Sequence, residues 1–394
     1  MTAVTFANKA RFKAQFDPNN QEFSLSGTLR PQSVDEIAPS LALFKDSIDR
    51  VSGILHINVR RLGQMNNTAF HAFARVMLDA SRVRPDLRFV VVTSSVVGWT
   101  TEKFGRLSLI EPAIKVEEYD ADFYPFQSIL EESRFFPVLR TQTKMTWRHE
   151  RNILPRHGLK ENMAVADICC GIGDFAALLY KDFKPSRLLA LDHSKPSLAY
   201  ARQVAASFDL HGIEYVYGDA AELLLEDNLF DFVTCRHALQ VFPRPQMILK
   251  ELFRICKPGG RVYVTNEKVS HCVGEPRGET IKWTYEQAAK VWAHFDMDIE
   301  CGPKSRRYML DCGFENIKME TFMVSNLDGD PQDFADIVQA WQNAFVDQMS
   351  AQRGDTPEFI DRFRLGFQDH IFAALHPRGY AGWPIWVASG TKPQ

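Results

Sequence analysis

A chain of 394 residues is long enough for two domains, each with a core of its own. Hydrophobic residues at 45% and charged residues at 24% are ordinary for a globular fold, and 46 basic against 49 acidic residues leave a net charge of −3. That balance offers no basic stripe for nucleic acid, and no apolar run approaches the ~18 residues that cross a bilayer. The first 20 residues lack the apolar centre and small-residue cleavage site of a secretory leader. Seven cysteines without framework spacing suit reduced thiols, so a cytoplasmic location is expected. The adjacent pair Cys169–Cys170 lacks the paired spacing of a zinc site, and no metal is expected.

Residues 1–20 read as a flexible polar arm ending in Asp17-Pro18-Asn19-Asn20. An α/β segment follows over 21–118. Phe23–Gly27 alternates like a strand, Gly53–Val59 is a second strand and Phe89–Thr93 a third. Between the last two, Phe70, Phe73, Val76, Met77 and Ala80 recur at helical spacing. Strand, helix and strand in that order imply a parallel crossover.

This segment resembles the STAS domain, the anti-sigma-factor-antagonist fold. In that family a serine in the loop before the central helix is often phosphorylated, and here Asn67 stands in its place, followed by Thr68. The resemblance implies an assembly role, with homo-oligomers formed through the N-terminal domain, and alternatively a regulatory one.

Residues 119–160 are aromatic and amphipathic, from Tyr124 and Phe126 to Trp147 and Leu154, and read as a helical linker or cap closed by Pro155 and Gly158. An alternating β/α pattern resumes at 161. Residues 328–380 form a helical insertion interrupted near Gly354–Pro357, and Trp383–Ser389 is a last apolar strand.

The decisive run is Met163–Phe175, a short apolar strand, a glycine turn and the start of a helix. Glycines let the backbone approach a ligand where a Cβ would collide, and the helix N-terminus offers free N–H groups. A dinucleotide fold would show G-x-G-x-x-G, which is missing; Asp167 opens the turn instead. A carboxylate there would repel a diphosphate and suits a ligand bearing an ammonium and a sulfonium. A dehydrogenase is thereby disfavoured.

At these residues the chain resembles class I S-adenosylmethionine-dependent methyltransferases, in particular those of ubiquinone and menaquinone biosynthesis. Asp167, Gly171 and Gly173 match the family's first motif, with Cys169 in place of its first glycine. Asp192, at the end of a strand about 20 residues on and followed by His193, stands where a carboxylate takes the ribose hydroxyls. Gly218-Asp219-Ala220 stands where the family faces the adenine amino group. Phe230–Leu239 is a buried strand that brings Cys235 and Arg236 toward the cofactor, and Lys257-Pro258-Gly259-Gly260 precedes the next strand. Gly313-Phe314 and Ile385–Ser389 fit the sixth and seventh strands. The resemblance implies an α/β, Rossmann-like, seven-stranded methyltransferase domain over 161–394, preceded by the smaller STAS-like domain. S-adenosyl-L-methionine is the implied cofactor.

Methyl transfer from a sulfonium asks for in-line positioning and exclusion of water. A general base is needed only when the nucleophile carries a tightly held proton. His237 is the candidate base, while Trp147, Asn266, Glu267, Trp283 and Tyr308 are candidate acceptor contacts. Aromatic side chains including Trp292 and Phe295 could cage a cationic or sulfur-bearing acceptor. Arg306-Arg307 is a candidate carboxylate clamp, and His271-Cys272 has no partner ligands at useful spacing. The reading is an enzyme that methylates a small molecule at N, S, O or C. A macromolecular methyltransferase and a regulatory, cofactor-binding protein are the alternatives.

Overall fold

The computed structural model describes residues 4–8, 12–93, 98–118 and 135–394. The chain divides into two compact units, Met1–Ala121 with Glu222–Leu224, and Asp122–Ala221 with Leu225–Gln394.

The first unit carries a six-stranded sheet in simple sequential order, β1 (Val4–Asn8), β2 (Phe12–Asp17), β3 (Glu22–Leu29), β4 (Ile54–Met65), β5 (Arg88–Thr93) and β6 (Ile114–Glu118). β1 to β3 pair antiparallel, and β3 to β6 are parallel. Parallel neighbours require crossovers, supplied by α1 (Ala38–Arg50), α2 (Asn67–Val83) and α3 (Gly98–Ser108). The expected arm at 1–20 is corrected: Phe12, Ala14 and Phe16 alternate inward on β2 and join the core. Short alternation within a polar stretch hid this strand. Phe23, Phe44 and Phe73 form the centre of that core, with ring centroids 4.6 Å to 6.2 Å apart. Asn66 caps α2 by accepting the Ala69 N–H, and Asn67 accepts a hydrogen bond from the Lys103 ammonium at 3.0 Å.

The second unit opens with α4 (Phe136–Arg156), whose inward face carries Thr146, Glu150, Ile153 and Leu154 at helical spacing. Tyr124 and Phe126, read as part of the cap, lie outside the described residues. The unit then alternates β7 (Ala164–Ile168), α5 (Asp174–Phe183), β8 (Arg187–Asp192), α6 (Lys195–Ser207), β9 (Ile213–Tyr217), β10 (Phe230–Arg236), α7 (Pro245–Ile255) and β11 (Cys256–Glu267). Next come β12 (Val273–Glu275), α8 (Gly278–His294), α9 (Ser305–Asp311) and β13 (Glu315–Ser325). The helical insertion follows as α10 (Pro331–Gln342), continued by a π-helical stretch Asn343–Ser350, and α11 (Pro357–Leu375). Gly354 takes a left-handed φ of 79° between these helices, and Thr356 caps α11. β14 (Tyr380–Thr391) closes the chain.

These strands form one sheet in the order β9-β8-β7-β10-β11-β14-β13. β7 to β11 run parallel, and β14 is antiparallel to both β11 and β13. The short β12 pairs with β14 beyond the end of β11, so the described sheet has eight strands rather than the expected seven. Strand order reverses between β7 and β10, which opens a crevice at their carboxyl ends, where open α/β sheets bind ligands. One core lies around β7, α5 and α4, and a second between α8, α10, α11 and β14.

Candidate active site

Four adjacent parallel strands bring site residues to their carboxyl ends: Asp192 and Glu267 are the last residues of β8 and β11, and Cys169 and His237 directly follow β7 and β10. The chain after β7 turns sharply. Cys169, Gly171 and Gly173 all take left-handed φ values of 62°, 53° and 75°. A Cβ on Gly173 would stand 2.8 Å from the Ala201 Cβ and 2.9 Å from the Tyr215 ring, so this position excludes a side chain. Cys169 tolerates the same φ at a cost of roughly 1–2 kcal/mol, strain of a kind that gathers at functional sites.

Asp192 ties this turn down. Its Oδ2 accepts the Gly171 N–H at 2.7 Å and its Oδ1 accepts the Ser194 N–H at 2.9 Å. Ser194 caps α6 by accepting the Ser197 N–H. Asp167 is buried, and its Oδ1 accepts a hydrogen bond from the Thr234 hydroxyl at 2.7 Å, while Oδ2 has no partner among the described residues. Burial pushes its carboxyl up to about 7, helped by the nearby acids Asp192 and Glu150 and opposed by Thr234 and Arg236. Burial raises the Cys170 thiol; contact with Cys235 and then burial do the same for Cys169. Both are held as neutral thiols, unsuited to nucleophilic catalysis.

Below the turn, Arg236 is buried against Glu150 of α4. Its Nε donates to Glu150 Oε1 at 2.9 Å, a second nitrogen pairs with Oε2, and the Thr146 hydroxyl accepts at 3.0 Å. The Tyr263 hydroxyl donates to the same carboxylate at 3.1 Å. The guanidinium also lies 3.9 Å from the centre of the Phe175 ring. Burial opposes its charge, and Glu150 more than offsets this, so Arg236 titrates above its ordinary value.

Two cavities open above this floor. The first is lined by Asp167, Cys169, Gly171, Asp174, Asp192, His193, Arg236 and His237, with Leu139, Gln142, Thr143 and Thr146 of α4 across from them. The second is mostly apolar, with Phe135, Trp292, Trp341 and Phe345 among its walls. At ≈ 190 Å³ it far exceeds the ~10–15 Å³ that one water needs. Leu139, Gln142, His237 and Val241 line both.

His237 therefore stands at the junction. It takes a left-handed φ of 51°, held by its own N–H donating to the Thr265 carbonyl at 2.8 Å. Its Nδ1 is 2.5 Å from Glu267 Oε1, and the Glu267 N–H donates to Gln240 Oε1 at 3.2 Å. A carboxylate at Nδ1 favours the tautomer with its proton there, in which Nε2 carries the free lone pair. Among the described residues Nε2 has no hydrogen-bond partner.

Residues 166–264 match the family described as a methyltransferase domain. This is a class I S-adenosylmethionine-dependent methyltransferase domain. A demethylmenaquinone methyltransferase of Oceanobacillus iheyensis is 26% identical over 200 residues, 47% of this chain and 82% of that protein. One from Listeria monocytogenes serotype 4a (strain HCC23) is 32% identical over 130 residues, 33% of this chain, so the chain spans only 54% of that relative. Among solved structures, Haemonchus contortus phosphoethanolamine N-methyltransferase 2 with S-adenosyl-L-methionine is 17% identical, with a TM-score of 0.45, over 98% of this chain and 96% of that one.

S-adenosylmethionine is the cofactor of the methyltransferase domain, and the first cavity fits it. Among the described residues the buried Oδ2 of Asp167 is unpartnered and suits the ligand's ammonium, and Gly171, with no Cβ and open space beside it, admits a close backbone approach. Asp192 and His193 line that cavity, as does Cys169. Gly218, Asp219 and Ala220, expected at the adenine, are not among its lining residues, and Asp219 Oδ1 instead accepts the Ala221 N–H. Cys235 lies beneath the floor, fully buried.

The acceptor side of the methyltransferase domain needs more correction. Trp147 packs edge-on against Phe175 and Phe183 in the core. Asn266 is buried and donates to the Ser305 hydroxyl at 3.1 Å. Trp283 stacks under Arg362 and beside Phe359, and Tyr308 is buried within α9. None of these lines either cavity. Arg307 lies over the Tyr308 ring rather than clamping a carboxylate. Of the expected contacts Glu267 and Trp292 line the second cavity, joined by Gln142, Gln240, Trp341 and Phe345. The π-helical stretch carrying Phe345 and Met349 left no periodic signal by which to find it.

Proposed function

We propose that the chain transfers the methyl group of S-adenosylmethionine to a small molecule seated in the aromatic cavity. The observation that carries this reading is the shared wall. The cofactor-side and aromatic cavities meet at Leu139, Gln142, His237 and Val241, so a donor and an acceptor can face each other across one histidine. When bound, S-adenosylmethionine supplies an activated methyl group on a sulfonium.

The protein's own contribution is positioning and proton handling. Asp167 and Asp192 hold the donor end, and α4 closes over it, fastened to the sheet by the Glu150–Arg236 pair. The aromatic walls exclude water from the acceptor. His237 Nε2 takes the acceptor's proton, and Glu267 keeps the imidazole in the tautomer that can accept it. The menaquinone-type relatives favour a small acceptor over a macromolecular one.

The N-terminal unit, with its β4–α2–β5 crossover, is read as a STAS-like assembly module that makes the chain a homo-oligomer. Seven unpaired cysteines fit a reducing cytoplasm, and among the described residues no helix is long and apolar enough to cross a membrane. Incubating the full chain with S-adenosylmethionine and fractionated small metabolites tests the activity. Release of S-adenosylhomocysteine with a methylated product supports it. Donor binding without turnover of any fraction would instead favour the regulatory alternative.

A further inference from the structure

The aromatic cavity has the carboxylate of Glu267 in its wall, paired through one oxygen with His237. Among its described lining residues Glu267 is the sole acid, and neither lysine nor arginine is present. Glu267 Oε1 is occupied by His237, whereas the buried Oε2 has no partner among the described residues. An unsatisfied buried charged acceptor is costly, and it invites a ligand that donates to it. Around it stand the rings of Phe135, Trp292, Trp341 and Phe345, whose faces attract cations.

Three kinds of acceptor meet this cavity differently. A phosphate or carboxylate would face Glu267 with no compensating cation. An alcohol satisfies His237 Nε2 and leaves the charge of Glu267 unanswered. A protonated amine donates to Oε2 and places its charge against the rings. We infer that the acceptor is a primary or secondary amine on an apolar, ring-sized body without an acidic group. This rests on the methyltransferase reading above.

The step balances without any further reactant. The ammonium gives one proton to His237 Nε2, and the freed nitrogen lone pair forms a bond to the methyl carbon. The carbon–sulfur bond of the donor breaks, with its electron pair remaining on sulfur as a neutral thioether. The products are the methylated ammonium, S-adenosylhomocysteine and a proton that leaves through His237.

Calorimetry on the full chain saturated with S-adenosylhomocysteine tests the class, using matched probes of equal size. Phenethylamine and tryptamine are compared with 2-phenylethanol and tryptophol, and with 3-phenylpropanoate and indole-3-propionate. The amines are expected to bind about tenfold more tightly than the alcohols, the roughly 1.4 kcal/mol that a hydrogen bond from the ammonium to the Glu267 carboxylate can supply. The carboxylates are expected not to bind measurably. Glu267→Gln, which preserves size, should erase the amine advantage and leave the alcohols unchanged. Amines binding no better than alcohols, amines failing to bind, carboxylates binding as well, or an unchanged amine affinity in Glu267→Gln would each overturn the inference. Turnover of an alcohol or carbon acceptor would defeat the amine class and leave methyl transfer standing. Failure to bind S-adenosylmethionine would defeat methyl transfer itself.

Discussion

The donor and acceptor halves of the site are built in opposite ways. The donor half comes from three strand ends and the turns that follow them, and most of its side chains lie within Asp167–Ser197. The acceptor half gathers Phe135, Gln240, Glu267, Trp292, Trp341 and Met349, drawn from helices, loops and one strand end spread over more than half of the chain. A donor common to many reactions can be held by local backbone geometry. An acceptor particular to one reaction is held by whatever the insertions bring together. Only the shared wall, with His237 in it, belongs to both.

That division can be broken by substitution, and the largest effect is expected at the junction. His237→Gln should lower kcat by about 10²–10⁴-fold, the range for a lost general base, while calorimetric donor affinity changes by less than about threefold. A loss of donor affinity as large as the loss of kcat would move His237 into the donor half. Next, Asp192→Ala removes the carboxylate that anchors Gly171 of the glycine turn and Ser194 at the start of α6, and with it the proposed ribose contact. Donor affinity should fall by about 100-fold, from two lost charge-assisted hydrogen bonds at roughly 1.5 kcal/mol each. Trp341→Ala should raise the acceptor KM by about tenfold through lost ring contact, with the donor titration unchanged.

The smallest effect is a pH dependence of donor affinity. Asp167 titrates at about 7 in the donor-free protein because burial disfavours its charge. A cationic group favours the ionised form, so binding below that pH must release a proton. Donor affinity should therefore fall as pH drops from 8 to 6, at most about tenfold per unit. The same raised value makes ionised Asp167 a liability without donor. The native state holds a proton that the unfolded chain has released, so this residue's contribution to stability falls as pH rises from about 4 to 7. In Asp167→Asn both pH dependences should flatten, as read by calorimetry and thermal unfolding.

The two halves also differed in how much the sequence disclosed. The glycine turn, Asp192 and the alternating strands were legible because short range sets them: an acid, a φ that glycine favours, an apolar run of five residues. The antiparallel β14 was visible as Trp383–Ser389, but β12 was not, since three residues carry no period. Strand β2 was missed because its inward Phe12, Ala14 and Phe16 alternate with polar residues in a stretch that ends in a turn. Glu150 gave no sign of being Arg236's partner, because that pair spans 86 positions in the chain. Trp147 and Trp283 drew attention by residue type, yet residue type does not say which side of a helix faces the core. His237 and Glu267 were each marked singly; that they form one hydrogen-bonded pair depended on the parallel register of β10 and β11.

One calorimetric comparison tests the partition most directly: titration of S-adenosylmethionine at pH 8 into the wild-type chain, Asp192→Ala and His237→Gln. Saturable binding to one site in the wild type, about 100-fold weaker in Asp192→Ala and within about threefold in His237→Gln, is the predicted result. No binding to the wild type, or equal losses in both variants, would contradict a donor cleft anchored at Asp192 and an acceptor side that begins at His237.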